Sequence, residues 1–238
     1  MNTVVADITY RAMLGRKRIW LLVLLPVALI AIAVLLRLIA GVNEHTAVTL
    51  MQTFAIGMML PLLGLIAGTG VIAPEIEDGT IIHLLAKPIA RPVIALTKFV
   101  VAASLLAVFA AVPTFIAAYI LVRGESGVAW GFALGSLFGA VAYAAVFLLL
   151  GVVTRHAVAI GVIYALIWEG LVGGYVPGAR KFSIQQWAQS LADQVSSSPF
   201  FTTDVSLSFA IPAMIIVTLG ALWLAGQRLR TLSLTGDD

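Results

Sequence analysis

An all-helical integral membrane protein is the fold class this sequence predicts, and three observations predict it. Of 238 residues, 61% are hydrophobic and 11% charged, with a mean hydropathy of +1.09; soluble domains carry about 25% charged residues. Apolar runs of bilayer length recur along the chain, about 20 residues being what the hydrocarbon core needs. Lys and Arg are also unevenly shared between the segments that join those runs. One membrane domain, residues 1–238, accounts for all of it.

Residues 1–18 read as an interfacial helix on the inner leaflet. Arg11, Arg16, Lys17 and Arg18 make it basic, and Val4, Val5, Ile8 and Ala12 fall on one side at about 100° per residue. A secretory signal is the competing reading, but the apolar run that follows is too long for one and has no small-residue cleavage site. Six spans are expected. The first is 19–40, with Arg37 placed to snorkel at its outer end. The second, 48–73, contains Pro61 and the pair Gly64/Gly68; the third, 94–122, is bent at Pro113. The fourth, 128–153, carries the small-residue stripe Gly131, Gly135, Gly139. The fifth, 157–176, and the sixth, 209–227, flank a long polar segment, 177–208.

Six spans put both termini on one side. With the N-terminus inside, the inner segments hold Arg11, Arg16, Lys17, Arg18, Lys87, Arg91, Lys98, Arg155, Arg228 and Arg230. The outer ones hold only Arg37, Arg123, Arg180 and Lys181. The positive-inside rule therefore makes both termini cytoplasmic, puts segment 74–92 inside and puts 177–208 outside.

Segment 74–92, PEIEDGTIIHLLAKPIARP, is the organising stretch. Glu75, Glu77 and Asp78 open it, Gly79 breaks the line, and Thr80 can cap a new helix. Ile81, Ile82, Leu84 and Leu85 follow, Lys87 sits in the last turn, and Pro88 ends it. Two turns of helix are not stable alone in water, so something packs on them. Either this apolar knuckle docks a soluble partner, or the loop folds back on its own spans.

Covalent chemistry is not expected of this chain. No phosphate-cradling Gly, four residues, Gly-Lys-Ser/Thr pattern occurs, and Gly15-Arg16-Lys17 lacks both the second glycine and the Ser/Thr. There is no cysteine, and His45, His83 and His156 fit no metal spacing. No catalytic grouping survives a spacing check, and no nucleic-acid partner is expected. Glu169 is the outstanding single residue, within Trp168-Glu169-Gly170 and shortly before Gly173 and Gly174. A charge at that depth costs about 2.5–3.5 kcal/mol on insertion scales, so it faces protein or a wet cavity. It either lines a path or bonds to a gate, or it is a carboxylate tied to a neighbouring helix that holds the bundle together. In the outer segment, Phe182, Ile184, Trp187, Leu191 and Val195 recur near helical spacing and Ser183 can cap them. This reads as an amphipathic helix on the outer mouth with Trp187 at the membrane–water boundary, serving as a lid or resting passively on lipid.

Glu75-x-Glu77-x-Gly79-Thr80, followed by Leu84-Leu85-Ala-Lys87-Pro88-Ile89-x-Arg91, resembles the loop after the second span in type-2 permeases of ATP-binding-cassette (ABC) exporters. Trp168-Glu169-Gly170 and the Phe182-Ser183-Ile184 region are similar to the branch that includes the permease of nitrous-oxide-reductase maturation. The resemblance implies two permease chains, a homodimer or a pair of paralogues, working with two separate ATPase chains that bind ATP and magnesium. It implies that Thr80–Lys87 is a coupling helix, that Glu75, Glu77 and Asp78 join it to the second span, and that Asn2–Arg18 is a connecting helix. It further implies a path lined by the second and fifth spans, an outer gate after the fifth, and a bacterial cytoplasmic membrane location. The apolar lining suits an amphipathic or drug-like cargo. The alternative is a secondary transporter using Glu169 as a proton carrier; a lone intramembrane acid and no visible inverted repeat speak against it.

Overall fold

The computed structural model describes residues 3–15, 18–39, 43–77, 90–122, 126–173, 176, 178–196, 198–201 and 203–231, and no strand occurs among them. Helix α1 (Thr3–Leu14) precedes α2 (Arg18–Ile39). Helix α3 (Glu44–Leu50) widens into a π-helical stretch, Met51–Met59, and resumes as α4 (Leu60–Gly70); the short α5 (Ala73–Glu77) follows. Helix α6 (Arg91–Leu106) passes through a second π stretch, Ala107–Ala111, into α7 (Val112–Leu121). Helix α8 (Ser126–Val153) is unbroken. Helix α9 (Ala157–Ile163) runs into a third π stretch, Tyr164–Val172. A 3₁₀ turn, Arg180–Phe182, leads to α10 (Ile184–Ser196), and α11 (Leu207–Thr231) closes the described chain.

Among the described residues, five helical segments are long and apolar enough to cross a bilayer: Ile19–Ile39, Glu44–Ile76, Arg91–Leu121, Gly127–Val153 and Leu207–Thr231. The segment expected to be the fifth span, 157–176, is a shorter apolar helix, Ala157–Val172.

Prolines account for two of the wide turns. Pro61 and Pro113 have no N–H to give to the carbonyl four residues back, and their rings crowd it. In each case the chain unwinds to π geometry just upstream and restarts with the proline in the first turn of the next helix. The bend expected at Pro113 is thus a π segment beginning at Ala107. Thr114 turns its hydroxyl back onto the Ala110 carbonyl at 2.7 Å.

The core is built on α8. Phe132, Ser136, Ala140, Tyr143, Ala144, Phe147 and Leu148 are all fully buried, because α8 touches the second, third and last spans and α10. By contrast, the first and last spans are buried over only 22% and 17% of their most apolar windows, against 72% for the second. They form the outer rim of the bundle.

Glycines set the spacing. A Cβ on Gly64 would stand 2.7 Å from that of Tyr143, and one on Gly68 2.6 Å from that of Phe147, so α4 seats two aromatic rings of α8. The stripe Gly131, Gly135, Gly139 receives α10: their Cβ positions meet the Ala192 carbonyl at 2.6 Å, the Ala188 carbonyl at 2.5 Å and the Ala188 Cβ at 3.0 Å. As α10 advances the contact moves back along α8, so the two helices are antiparallel. The buried face of α10 is Ile184, Trp187, Ala188, Ala192 and Ser196, while Phe182 and Val195 are exposed. The contact is small residue on small residue, which lets the backbones approach.

One expectation is corrected here, and the packing of α1 is added to it. Trp187 is packed inside the protein rather than exposed to a membrane–water boundary: it is 4% exposed and its indole N–H donates to the Lys181 carbonyl at 2.8 Å. In α1 the docked face is Val5, Ala6, Thr9 and Met13, while Val4 and Ile8 point away from the protein. Tyr10 and Ser104 share a hydrogen bond that fastens α1 to α6.

Candidate functional site

Two places hold buried polar groups that the bundle had to organise. The first is the root of the inner loop. Glu75 lies in α5, and Glu77 ends it. Lys98, in the second turn of α6, is fully buried and donates to the Val71 carbonyl at 2.5 Å and to Glu75 Oε1 at 2.7 Å. Val71 is the residue on which α4 ends. One ammonium therefore ties the third span to the carbonyl on which α4 ends and to the loop's first acid. Removing a single partner from such a pair leaves a charge without compensation, a loss of about 3–5 kcal/mol.

Where the chain returns to α6, Arg91 donates from Nη1 to the carbonyls of Leu229 and Arg230 at 2.7 and 2.8 Å. A cation on the last carbonyls of α11 suits both their unmet hydrogen bonds and the helix dipole. A Cβ on Gly226 would stand 3.6 Å from Pro92, so the ring lies against that face of α11. Both ends of the loop are thus anchored to the bundle. The remaining expected coupling residues, Asp78, Gly79, Thr80, Ile81, Leu84, Leu85, Lys87 and Pro88, lie outside the described residues. So does Arg16; Arg18 begins α2, and Arg11 pairs with Asp7 at 3.0 Å on the exposed side of α1.

The second place surrounds Glu169, which is fully buried. Its Oε1 accepts from the Tyr164 hydroxyl at 2.7 Å and the Ile184 amide at 3.2 Å; its Oε2 accepts from the Ser183 hydroxyl at 2.5 Å and the Gln185 amide at 3.2 Å. Ile184 and Gln185 are the first two residues of α10, whose N–H groups have no partner within the helix. The third, Gln186, donates to Ser183 Oγ at 3.3 Å. Ser183 is therefore the cap that its place in the sequence suggests, and Glu169 caps the same helix from another element. A carboxylate at a helix N-terminus also meets the positive end of its dipole.

The neighbours of Glu169 complete this arrangement. Gly173 allows Ser183 to approach, since a Cβ there would lie 2.9 Å from the Ser183 side chain. Gln186 Nε2 donates to the Gly173 carbonyl at 3.3 Å. Trp168 donates its indole N–H to the Phe182 carbonyl at 3.3 Å, as Trp187 does to Lys181, so two indoles hold the 3₁₀ turn ahead of α10. Gly170 takes no part in the cap; it faces a polar recess of about 320 Å³ shared with Gln52, Thr53, Gly57, Gln185 and Gln189. Further out, Ser198 donates to Glu44 Oε1 at 2.5 Å, Arg180 pairs with Asp204, and Phe201 stacks on Phe132 with centroids 5.0 Å apart.

The structure thus brings Trp168, Glu169, Gly173 and Trp187 together and sets Gly170 apart from them. It adds four residues that sequence reasoning does not single out. Lys98 enters that reasoning only as an inner cation, although a lysine inside an apolar run is itself a signal. Arg91 enters only as an inner cation and as part of a loop motif. Tyr164 and Gln185 carry no signal that distance along the chain could reveal.

Packed around α8, with five segments among the described residues able to cross a bilayer, this chain is a multi-pass integral membrane protein. The family model for ABC-2 family transporter proteins matches residues 4–232, nearly the whole length, and the chain belongs to that family. It is a permease subunit of an ABC transporter, a transport component that works with an ABC ATPase partner. A search of the curated proteins finds no match to this chain.

Proposed function

We propose that this chain forms the path of an ATP-driven exporter and converts the closing of its ATPase partners into movement of its own spans. The observation that carries the reading is the Lys98 knot. One buried ammonium holds α4, α5 and α6 together at the root of the inner loop, so a push on the loop moves the second and third spans as a unit. Thr80–Lys87 is the coupling helix that receives the push, Glu75, Glu77 and Asp78 are its junction, and α1, with Arg11, Arg16 and Arg18, is the connecting helix. ATP and magnesium bind on two ATPase chains, not on this one. A second permease copy completes the path in a bacterial cytoplasmic membrane, and the cargo is amphipathic or drug-like. The branch is that of the nitrous-oxide-reductase-maturation permease.

Six crossings fit this topology. The 16 residues of Ala157–Val172 and the 13 of α10 together match the 28 of α8. The cap at Glu169 joins them, so the pair makes one broken crossing with its outer half laid into the glycine stripe. Both termini are then cytoplasmic. In this reading Glu169 is the anchor of an outer gate helix rather than a proton carrier, because four donors already occupy its two oxygens.

The test is Leu84→Glu in the full transporter. The variant is expected to insert and to keep its thermal stability in detergent, while the ATPase no longer co-purifies and ATP-dependent efflux is lost. Unchanged co-purification and efflux would overturn the docking assignment.

A further inference from the structure

The polar recess beside Gly170 lies between the π stretch of the second span, the π stretch Tyr164–Val172 and the first turns of α10. Its walls are Gln52, Thr53, Gly57, Gly170, Gln185 and Gln189, in a chain that is 61% hydrophobic. None of these side chains is charged. The nearest acid, Glu169, has both oxygens committed to the cap, and that same carboxylate offsets the positive end of α10. The recess therefore offers dipoles without a net charge. An ion entering it loses its hydration and gains no counter-charge, whereas a neutral hydrogen-bonding group exchanges one set of hydrogen bonds for another.

The amides are not satisfied by one another. Gln185 Oε1 is buried and has no hydrogen-bond partner among the described residues. Gln189 Nε2 reaches only the main-chain carbonyl of Gln52, at 3.5 Å. A buried acceptor left unpaired is unfavourable, and a donor on a bound molecule recovers that loss. Glycines on two walls keep the space open: a Cβ on Gly57 would stand 3.1 Å from Gln185 Nε2, and one on Gly170 would meet only the Ala165 carbonyl, at 3.7 Å.

We propose that this recess is a binding site for the neutral, hydrogen-bond-donating head, a hydroxyl or an amide, of an amphiphile whose apolar part remains in the hydrocarbon. As a stage of transport the site rests on the permease reading; as a binding site it stands without it. Sugar-headed membrane lipids and small amphipathic solutes share this head chemistry.

The full-length chain, in phosphatidylcholine nanodiscs, is photolabelled with a diazirine-bearing octyl glucoside. Octyl trimethylammonium and octyl sulfate probes with the same tail, and a diacyl glucolipid with the same photophore, run beside it. The octyl glucoside is expected to label the peptide carrying Gln52, Thr53 and Gly57 and the peptide carrying Gln185 and Gln189, at least about fivefold above either charged probe. Gln185→Leu, which leaves the main-chain cap intact, lowers that labelling by about threefold to tenfold, the effect of one hydrogen bond to a neutral group. Gly57→Leu fills the space and abolishes it; should that variant not fold, Gln189→Leu serves in its place. Preferential labelling by the glucolipid assigns the site to a resident lipid, and preferential labelling by the octyl glucoside assigns it to a small solute; both support the site. Equal labelling by neutral and charged heads, or labelling unmoved by Gln185→Leu in a folded protein, overturns it. Labelling needs neither ATP nor a partner. Failure of the ATPase to co-purify therefore counts against the permease reading alone.

Discussion

Replacing Glu169 by glutamine changes one oxygen to an amide nitrogen and nothing in size, so the effect can be followed atom by atom. The retained oxygen keeps two donors, Tyr164 and one main-chain amide. The new NH₂ faces the Ser183 hydroxyl, which can rotate to accept, and a main-chain N–H, which cannot. One buried donor is stranded at about 1–3 kcal/mol, the surviving bonds lose their charge assistance, and the helix dipole loses its counter-charge. The sum is about 3–6 kcal/mol. Glu169 is fully buried, so bulk solvent does not reach the stranded donor. Against a total stability of about 5–15 kcal/mol this is large, and the melting temperature in detergent should fall on the order of 10 °C. Glu169→Ala should fall further, because it strands all four donors. The assay is thermal unfolding followed by size exclusion, with efflux measured on the same preparations at a temperature where the variant remains folded. The expected result is a variant that is much less stable yet still transports. A glutamine variant as stable as the wild type but dead in transport would refute the anchor and restore the acid to the transport chemistry.

Three further outcomes follow from the geometry. Glu75→Gln strips the buried Lys98 ammonium of its counter-charge and should cost about 3–5 kcal/mol, while Lys98→Met combined with it should recover a large part; a double-mutant cycle on melting temperature, with no coupling between the sites, would contradict the pairing. Gly135→Ala places a methyl 2.5 Å from the Ala188 carbonyl and should cost about 1–3 kcal/mol, whereas Gly220→Ala, with nothing within 4 Å, should be neutral or gain up to about 1 kcal/mol; thermal unfolding of the two variants side by side checks the contrast. Arg91→Met removes two hydrogen bonds from the end of α11, so amide exchange in the peptide ending at Thr231 should quicken about tenfold or more.

What can be read in the sequence is what depends on length, period and the cost of charge. The long apolar runs, the cap at Ser183, the glycine stripe of α8 and the oddity of Glu169 all belong to that class. What escapes depends on winding and on distant contact. Tyr164 and Glu169 are five apart, about 140° out of line on an α-helix, and they meet across the wider turns of a π stretch. Helical spacing puts the apolar face of α10 among Phe182, Leu191 and Val195, the large residues. A glycine-lined seat selects Ala188, Ala192 and Ser196 instead, and hydrophobicity gives those little weight. The same bias puts Trp187 at an interface, although its indole N–H finds a carbonyl inside the protein. Lys98 passes for one more cation obeying the positive-inside rule, since nothing local shows that α6 turns it inward onto Val71 and Glu75.

The clasp between Arg91 and the end of α11 has a practical bearing. It fixes the point from which anything fused after Thr231 departs, beside the entrance to the third span. A fluorophore attached there would ride with the base of the inner loop and report its movement without a label on the loop itself, while a bulky affinity tag at the same position would act as a drag on it.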